Sequence, residues 1–476
     1  KRVGNRNILS SIRNIDPRFN IVDNPTMGSD PNSLPDITIR GHSSMTSNVK
    51  DLQTESQATQ SANMPLFIMD GFEVGVQKVY DMDPMRVEDI QILKDAAATA
   101  MYGSRAANGV VVITTVAPKP GEVTISYSMT GTVSMPDLSD YNLASAREKL
   151  EIETKAGIYT PKYFLTWRQA LDAYNERLLR VQEGVNTDWL SLPLRNAVNH
   201  KHSLSIEGGN ADLRYGLDLS YNNNNGVMKD SYRNTMNLGF HVDYRLKNLQ
   251  VVNYIEYNYT KANESPYGDF SDYAHLQPYD RPYDKDGVLQ KQLEFSNIKR
   301  GNGYLNNPLY EAKLNNYNWN KQDEIIEQFM FQWFINDYLT LKGQLALTKT
   351  MGRTERFIDP KSSNATARTK SISNGERFID PKSSNATALA TSDNKVNATL
   401  LGDLYVDRSD MTKWDTQFAV YFAKSFGLHN LNASATANVM STKREATSSH
   451  YRGFPSGEFH SPNYAAEIYR KPTKTQ

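Results

Sequence analysis

Two periodicities divide the chain near residue 120. Before it, apolar positions come in short separate stretches; from Glu122 on they alternate with polar ones. In the first part, Ile37-Thr38-Ile39, Pro65-Leu66-Phe67-Ile68-Met69 and Gly109-Val110-Val111-Val112-Ile113-Thr114-Thr115 have the β-branched, apolar character of strands. Between the second and third, Val87, Ile90, Leu93, Ala97 and Met101 recur at i, i+3, i+4 spacing. That spacing predicts a helix from Val87 to Tyr102, stopped by Gly103. Strand, helix and strand in this order predict a small mixed α/β domain over residues 1–120.

From Glu122 the period is two. Val123, Ile125, Tyr127, Met129, Gly131 and Val133 alternate with hydroxyl residues, and the pattern returns over 202–207, 213–221, 236–246 and 251–259. Further runs cover 329–335, 339–347, 400–406, 414–422 and 431–439. About ten strands result, several of roughly 9–11 residues, longer than the 5–6 usual in soluble sheets and matched to tilted membrane strands. Alternation alone fits a sandwich as well as a barrel. Aromatic residues near strand ends (Tyr221, Tyr244, Tyr257, Tyr259, Trp414) favour the barrel, where such residues form interfacial girdles.

Two long insertions interrupt the strands. Residues 145–183 carry a helical pattern (Trp167, Ala170, Leu171, Tyr174, Leu178), whereas 262–322 are rich in Asn, Tyr, Pro and Gly with little periodicity. Tight turns at one end and long loops at the other are what an outer-membrane barrel shows. The segment 355–367 recurs identically as 376–388, a recent loop duplication or an artefact of sequence assembly, and no function is read from it.

Composition narrows the function. The 476 residues carry 53 Lys+Arg against 53 Asp+Glu, and this balance, with no long basic block, argues against nucleic-acid binding. The absence of Cys removes disulfides, Cys-ligated zinc and thiol nucleophiles together. No apolar run approaches the ~18 residues of a membrane helix, which leaves a β-barrel open. The chain opens at Lys1 without the features of a signal peptide.

His200-x-His202 has strand spacing on one face but no carboxylate to complete a metal site. Asp280, Asp284 and Asp286 in the aromatic loop 278–286 suit substrate stacking or a calcium ion, against the plainer expectation of a solvated extracellular loop. Asp137 and Asp140 have no spacing that marks glycosidase carboxylates. No catalytic constellation and no cofactor site are expected.

The stretch Met64–Val74, with Asp70-Gly71 after its apolar strand, and the stretch Val87–Thr115 closely resemble the plug domain of SusC/RagA-type TonB-dependent outer-membrane transporters. The second stretch includes Lys94-Asp95, Tyr102-Gly103, Arg105 and Asn108-Gly109, and Asp36–Gly41, with Arg40-Gly41, resembles the strand that precedes them. Residues 200–209 and 221–227 look like that family's early barrel hairpins. These plug residues serve first as turn and cap chemistry, Gly supplying positive φ after Asp70; the functional alternative is that they keep the plug wedged yet movable.

The resemblance implies a twenty-two-stranded transmembrane antiparallel β-barrel with the plug in its lumen, in the bacterial outer membrane. It implies uptake of an oligosaccharide or peptide too large for porins, a SusD-like surface lipoprotein as lid and the TonB complex pulling on the plug. Twenty-two strands at the density seen here would need roughly 780 residues after the plug, and Tyr469–Gln476 is not an apolar closing strand. No TonB-contact segment is recognisable before Asn7. The expectation is therefore a partial chain: plug over 1–120, N-terminal part of the barrel over 121–476. An adhesin using the same barrel without pumping, and a soluble β-rich carbohydrate enzyme, are the competing functions.

Overall fold

In the computed structural model, residues 8, 9, 12, 20–22, 30–33, 36–38, 64–93, 106, 108–164, 166–296, 303–365, 368–372, 389–390, 396–426 and 429–475 are described. The small domain is a four-stranded sheet of β1 (Leu66–Met69), β2 (Phe72–Val74), β3 (Val87–Leu93) and β4 (Val110–Thr115), in the order β2-β1-β4-β3. β1 runs parallel to β4, the other pairs antiparallel. Helix α1 (Val76–Asp81) places Val76 and Val79 against Phe67, Met69, Val111 and Ile113, and Ile8, Leu9 and Ile12 complete that core. Leu66, Ile68 and Val110 pack with Ala106 on the sheet's other side. Each such side chain contributes about 1.5–3 kcal/mol by leaving water, so this unit carries an apolar core of its own.

The helix expected over Val87–Tyr102 is corrected for the part described: Val87–Leu93 is the edge strand β3. Val87, Ile90 and Leu93 satisfy helical spacing, but Ile90 and Ile92 also alternate. A register shift between Val87 and Asp89 absorbs the change of phase, so pairing with β4 overrides the local pattern. Ala97, Met101 and Tyr102-Gly103 lie outside the described residues.

Ten strands then form one antiparallel sheet with neighbours in chain order. They are β5 (Gly121–Ser134), β6 (Ala197–Gly209), β7 (Leu213–Asn225), β8 (Tyr232–Arg245), β9 (Leu249–Asn263), β10 (Tyr317–Asn336), β11 (Leu339–Ile358), β12 (Asp403–Phe426), β13 (His429–Arg452) and β14 (Glu467–Thr475). They are not the ten that alternation marks. The runs 400–406 and 414–422 are parts of the single strand β12, and 329–335 is the end of β10, which begins inside the stretch expected to lack periodicity. Charged residues such as Lys321, Asp323 and Lys413 hide the continuity of these strands. The tail, expected not to close a barrel, pairs with β13 through bulges.

One end of the sheet has tight connections, residues 210–212, 246–248 and 337–338; the other has the long insertions. The helical one holds α2 (Ala146–Lys155), opened by a Ser145–Glu148 capping box, and α3 (Trp167–Gln182), capped by Thr166. The loop 278–286 is not a merely solvated one. Asp280 is fully buried and accepts from Arg180 Nη1 at 3.2 Å, while Tyr279 donates to Glu153 of α2 at 3.1 Å. Of the duplicated segments, 376–388 lies outside the described residues.

The sheet's polarity is inverted relative to a soluble protein. On β7 and β8 the exposed side chains are Leu213, Leu217, Leu219, Leu238, Phe240 and Tyr244; the buried ones include Arg233, Thr235, Asn237 and Asp243. β9 to β12 repeat this, with Ile255, Ile325, Phe329, Leu345 and Trp414 outward against Glu256, Gln328, Gln344 and Asp415 inward. A sandwich would bury the apolar face; only a lipid-facing wall around a polar interior favours the reverse. No described helix is long and apolar enough to cross a membrane.

Candidate functional site: the interface of plug and wall

The small domain sits against the sheet's polar face, and the contact is made by charge. α1 and the turn Pro84–Arg86 after it present Lys78, Asp81, Asp83 and Arg86; four successive strands present their complements. Asp83 caps the turn through Met85 N and receives Lys201 Nζ of β6 at 2.7 Å and the hydroxyl of Ser203. Asp81 takes a bidentate fork from Arg233 of β8, at 3.0 and 2.7 Å. Planar two-bond pairing of this kind fixes orientation as well as charge.

Glu256 of β9 is the centre of the arrangement. Its Oε1 lies 2.7 Å from Lys78 Nζ and 3.1 Å from Arg86 Nη1. Arg86 also bonds the Tyr254 hydroxyl and lies 3.8 Å from Asp218 of β7. Farther round the wall, Lys413 Nζ of β12 donates to the Glu73 carbonyl at 3.1 Å. Burial works to raise the Asp83 carboxyl, but Lys201 and its hydrogen bonds hold it below the ordinary carboxylate range. For Arg86 burial works the other way, and Glu256, Tyr254 and Asp218 together push it above the usual value, so it stays charged.

Of the residues singled out in sequence, Asp70, Gly71, Asn108 and Gly109 are described. Asp70-Gly71 is the two-residue turn between β1 and β2, with φ of 51° and 93°, the left-handed pair that a type I′ hairpin requires. Asp70 accepts from Thr115 N at 2.9 Å and Thr115 Oγ1 at 2.8 Å, pinning the end of β4; burial raises its carboxyl despite these bonds. Gly71 faces the wall, where a Cβ would stand 3.1 Å from Gln344 Nε2. Asn108 Nδ2 donates to the Met64 carbonyl at 3.4 Å, and Gly109 has φ of 96° at the entry to β4. Arg40, Gly41, Lys94, Asp95, Tyr102, Gly103 and Arg105 lie outside the described residues.

Sequence reasoning missed Lys78, Asp81, Asp83, Arg86, Arg233 and Glu256. The available signal was a charged residue on the polar parity of a membrane-length strand, which needs a partner from whatever fills the lumen. His200 and His202, on the outer parity, have ring centroids 5.2 Å apart, and His202 Nδ1 meets the Tyr127 hydroxyl at 2.7 Å. Among the described residues no group of three His, Asp or Glu is placed to hold a metal ion.

A folded plug held by ion pairs to the polar face of an outwardly apolar sheet defines ten strands of a plugged transmembrane β-barrel. Residues 1–110 match the model of the TonB-dependent Receptor Plug Domain. The TonB-dependent receptor SusC of Bacteroides thetaiotaomicron is 32% identical over 178 residues, covering 36% of this chain and 16% of that protein. The TonB-dependent receptor P26 of Formosa agariphila is 30% identical over 198 residues, 40% of this chain and 19% of that protein. The structure of the RagAB peptide transporter superposes with a TM-score of 0.69 at 17% identity, over 94% of this chain. The chain spans 48% of that transporter chain, about half its length. Its first 110 residues thus resemble a TonB-dependent receptor plug, about a third of its sequence resembles SusC, and its strands share the fold of the RagAB transporter chain.

Proposed function

We propose that the protein takes part in TonB-dependent uptake of a nutrient, an oligosaccharide or a peptide, across the bacterial outer membrane, with a SusD-like surface lipoprotein as lid. The supporting observation is the nature of the plug–wall contact. The plug keeps its apolar core to itself and meets the wall through Lys78, Asp81, Asp83 and Arg86, so it can separate from the wall without unfolding. The long-loop end faces outward and the tight turns face the periplasm, as in other outer-membrane barrels. In this reading the TonB complex draws on the plug from the periplasmic side, the ion pairs to β6–β9 give way, and water and cargo occupy the space released. The plug turns at Asp70-Gly71 and Asn108-Gly109 keep its shape while this happens. The RagAB transporter, whose fold this chain shares, carries peptides, which supports a nutrient as cargo.

The test is a pull-down of the full-length protein from native outer membranes in mild detergent, with mass spectrometry of its companions. Recovery of a SusD-like lipoprotein is expected, and surface enzymes recovered with it would point to the nutrient class. Recovery of the barrel alone would overturn the lidded-transporter reading.

A further inference from the structure

Strand register sets four cations side by side on the outer wall. Lys261 of β9 lies opposite Lys321 of β10, Lys321 opposite Arg353 of β11, and Arg353 opposite Arg408 of β12. Directly opposed residues share a face with Cβ atoms about 4.5–5.5 Å apart, where like charges destabilise the sheet. The shared face is the outer one, since Ile255, Ile325, Leu345 and Trp414 of the same four strands have the same parity and are exposed. The row stands on the long-loop side of that apolar band, and aromatic rings border it: Lys321 Nζ lies 4.9 Å and the Arg353 guanidinium 5.4 Å from the Trp319 ring.

Neighbouring acids cancel only part of the row. Asp410 pairs with Lys349 at 3.1 Å and Glu445 with Lys443 at 3.0 Å, whereas Asp323, which accepts from Tyr257 at 2.6 Å, keeps its charge two residues from Lys321. Glu355 neutralises Arg353 at 2.7 Å, but Lys261, Lys321 and Arg408 form no salt bridge among the described residues. At the row's β11–β13 end a cavity of about 380 Å³ opens between the wall and the loop 453–466. Arg353, Glu355, Arg408, Thr447, Tyr451 and His460 line it, two guanidiniums against one carboxylate with hydroxyl and imidazole groups beside them, which leaves a net positive lining for a phosphate group.

We propose that this row and cavity bind the phosphorylated headgroup of outer-leaflet lipid, with the phosphate between Arg353 and Arg408. The proposal rests on the outer-membrane reading given above. Its argument is complementarity: a run of four cations of which the fold pairs only Arg353, at the height where an apolar wall meets lipid headgroups, is relieved by anionic lipid.

The test uses the full-length protein in phosphatidylcholine nanodiscs, titrated with monophosphoryl lipid A and read by native mass spectrometry. Wild type is expected to retain the phosphorylated lipid and to ignore its dephosphorylated form, and R353Q/R408Q to bind it at least ten-fold more weakly. Lys349→Gln, which removes a cation of the same wall that does not line the cavity, should stay within two-fold of wild type, and heat-modifiable gel mobility confirms that each variant is folded. Equal retention by R353Q/R408Q, or equal retention of the dephosphorylated lipid, would overturn the proposal. So would displacement of the lipid by inorganic phosphate at the same concentration, which would make the ligand a free solute. Failure of the wild type to enter nanodiscs would overturn the membrane reading itself, whereas entry without lipid retention would overturn only this proposal.

Discussion

Replacing Glu256 with Gln asks whether charge is what holds the plug. Glu256 is 2% exposed, and its carboxylate serves both Lys78 at 2.7 Å and Arg86 at 3.1 Å. Glutamine keeps the shape and removes the charge, leaving two cations whose side chains are themselves only 10% and 12% exposed. Removing one partner of a buried pair costs about 3–5 kcal/mol. Because Arg86 keeps Asp218 at 3.8 Å, the lower end applies. About 3 kcal/mol is a factor of roughly 150 in the ratio of docked to undocked plug. Hydrogen exchange of the full-length protein in detergent reads this directly, because amides over Val76–Arg86 exchange through local opening. A triple variant, K78M/R86M/E256L, removes these three charges together, leaves the part-exposed carboxylate of Asp218 to water, and is expected to recover most of the protection, since apolar replacement of a whole buried ion pair is often neutral. Exchange over Val76–Arg86 within two-fold of wild type in E256Q, with the strands as protected as before, would refute the reasoning.

Gly71→Ala forces a Cβ into a left-handed turn at φ +93° and against Gln344. A cost of about 1–2 kcal/mol follows, seen as a roughly 5- to 30-fold rise in exchange over Met69–Phe72; unchanged exchange would mean the turn tolerates the side chain. Glu264, just past β9, is pushed up to about 7 by burial and by Asp30, whose neighbour Asn32 donates to the Asn263 carbonyl at 2.9 Å. A folded-state value above the ordinary 4.5 means the protonated form stabilises. That stabilisation is full below about pH 4.5 and lost as pH rises through about 7, so residues 30–33 should be better protected at pH 5 than at pH 8. Equal protection at the two pH values, or a dependence that survives Glu264→Gln, would contradict it. Leu345→Arg places a charge on the outer face of β11 and should cost about 2–4 kcal/mol in urea unfolding from phosphatidylcholine vesicles. A neutral result would show that this face is not in lipid.

How much was legible depended on whether a residue's role is local. The turn at Asp70-Gly71 was readable because a two-residue hairpin needs positive φ at both positions, and the sequence states that need in two letters. The alternation from Val123 to Val133 marked β5 for the same reason. Val87–Leu93 was misread because seven residues do not separate a 3.6 period from a bulged period of two; its partner β4 decides, twenty residues away. β12 was read as two strands because Asp407, Arg408 and Asp410 interrupt its apolar character, although the ladder runs unbroken through them. Glu256 and Arg233 were invisible as site residues, since their partners on α1 and the following turn are more than 150 positions away in the chain.

The same inversion that identifies the wall bears on the proposal that the plug moves against it. In a soluble domain, separating two packed layers exposes apolar surface, and the cost grows with the whole area at about 25 cal/mol per Å². Here Phe67, Val79, Val111 and Ile113 stay buried within the plug whether or not it touches the wall. What separation exposes is Asp81, Asp83, Arg86 and Glu256, and water restores to each much of the solvation it lost on docking. The ionic part of the resistance is therefore concentrated in a few contacts on β6–β9 and one on β12. A force directed along the strands meets those contacts a few at a time, and each is stiff only until its fork or pair opens. Moving a plug against a polar wall thus costs much less than unfolding it, and this difference is what the proposed transport function requires.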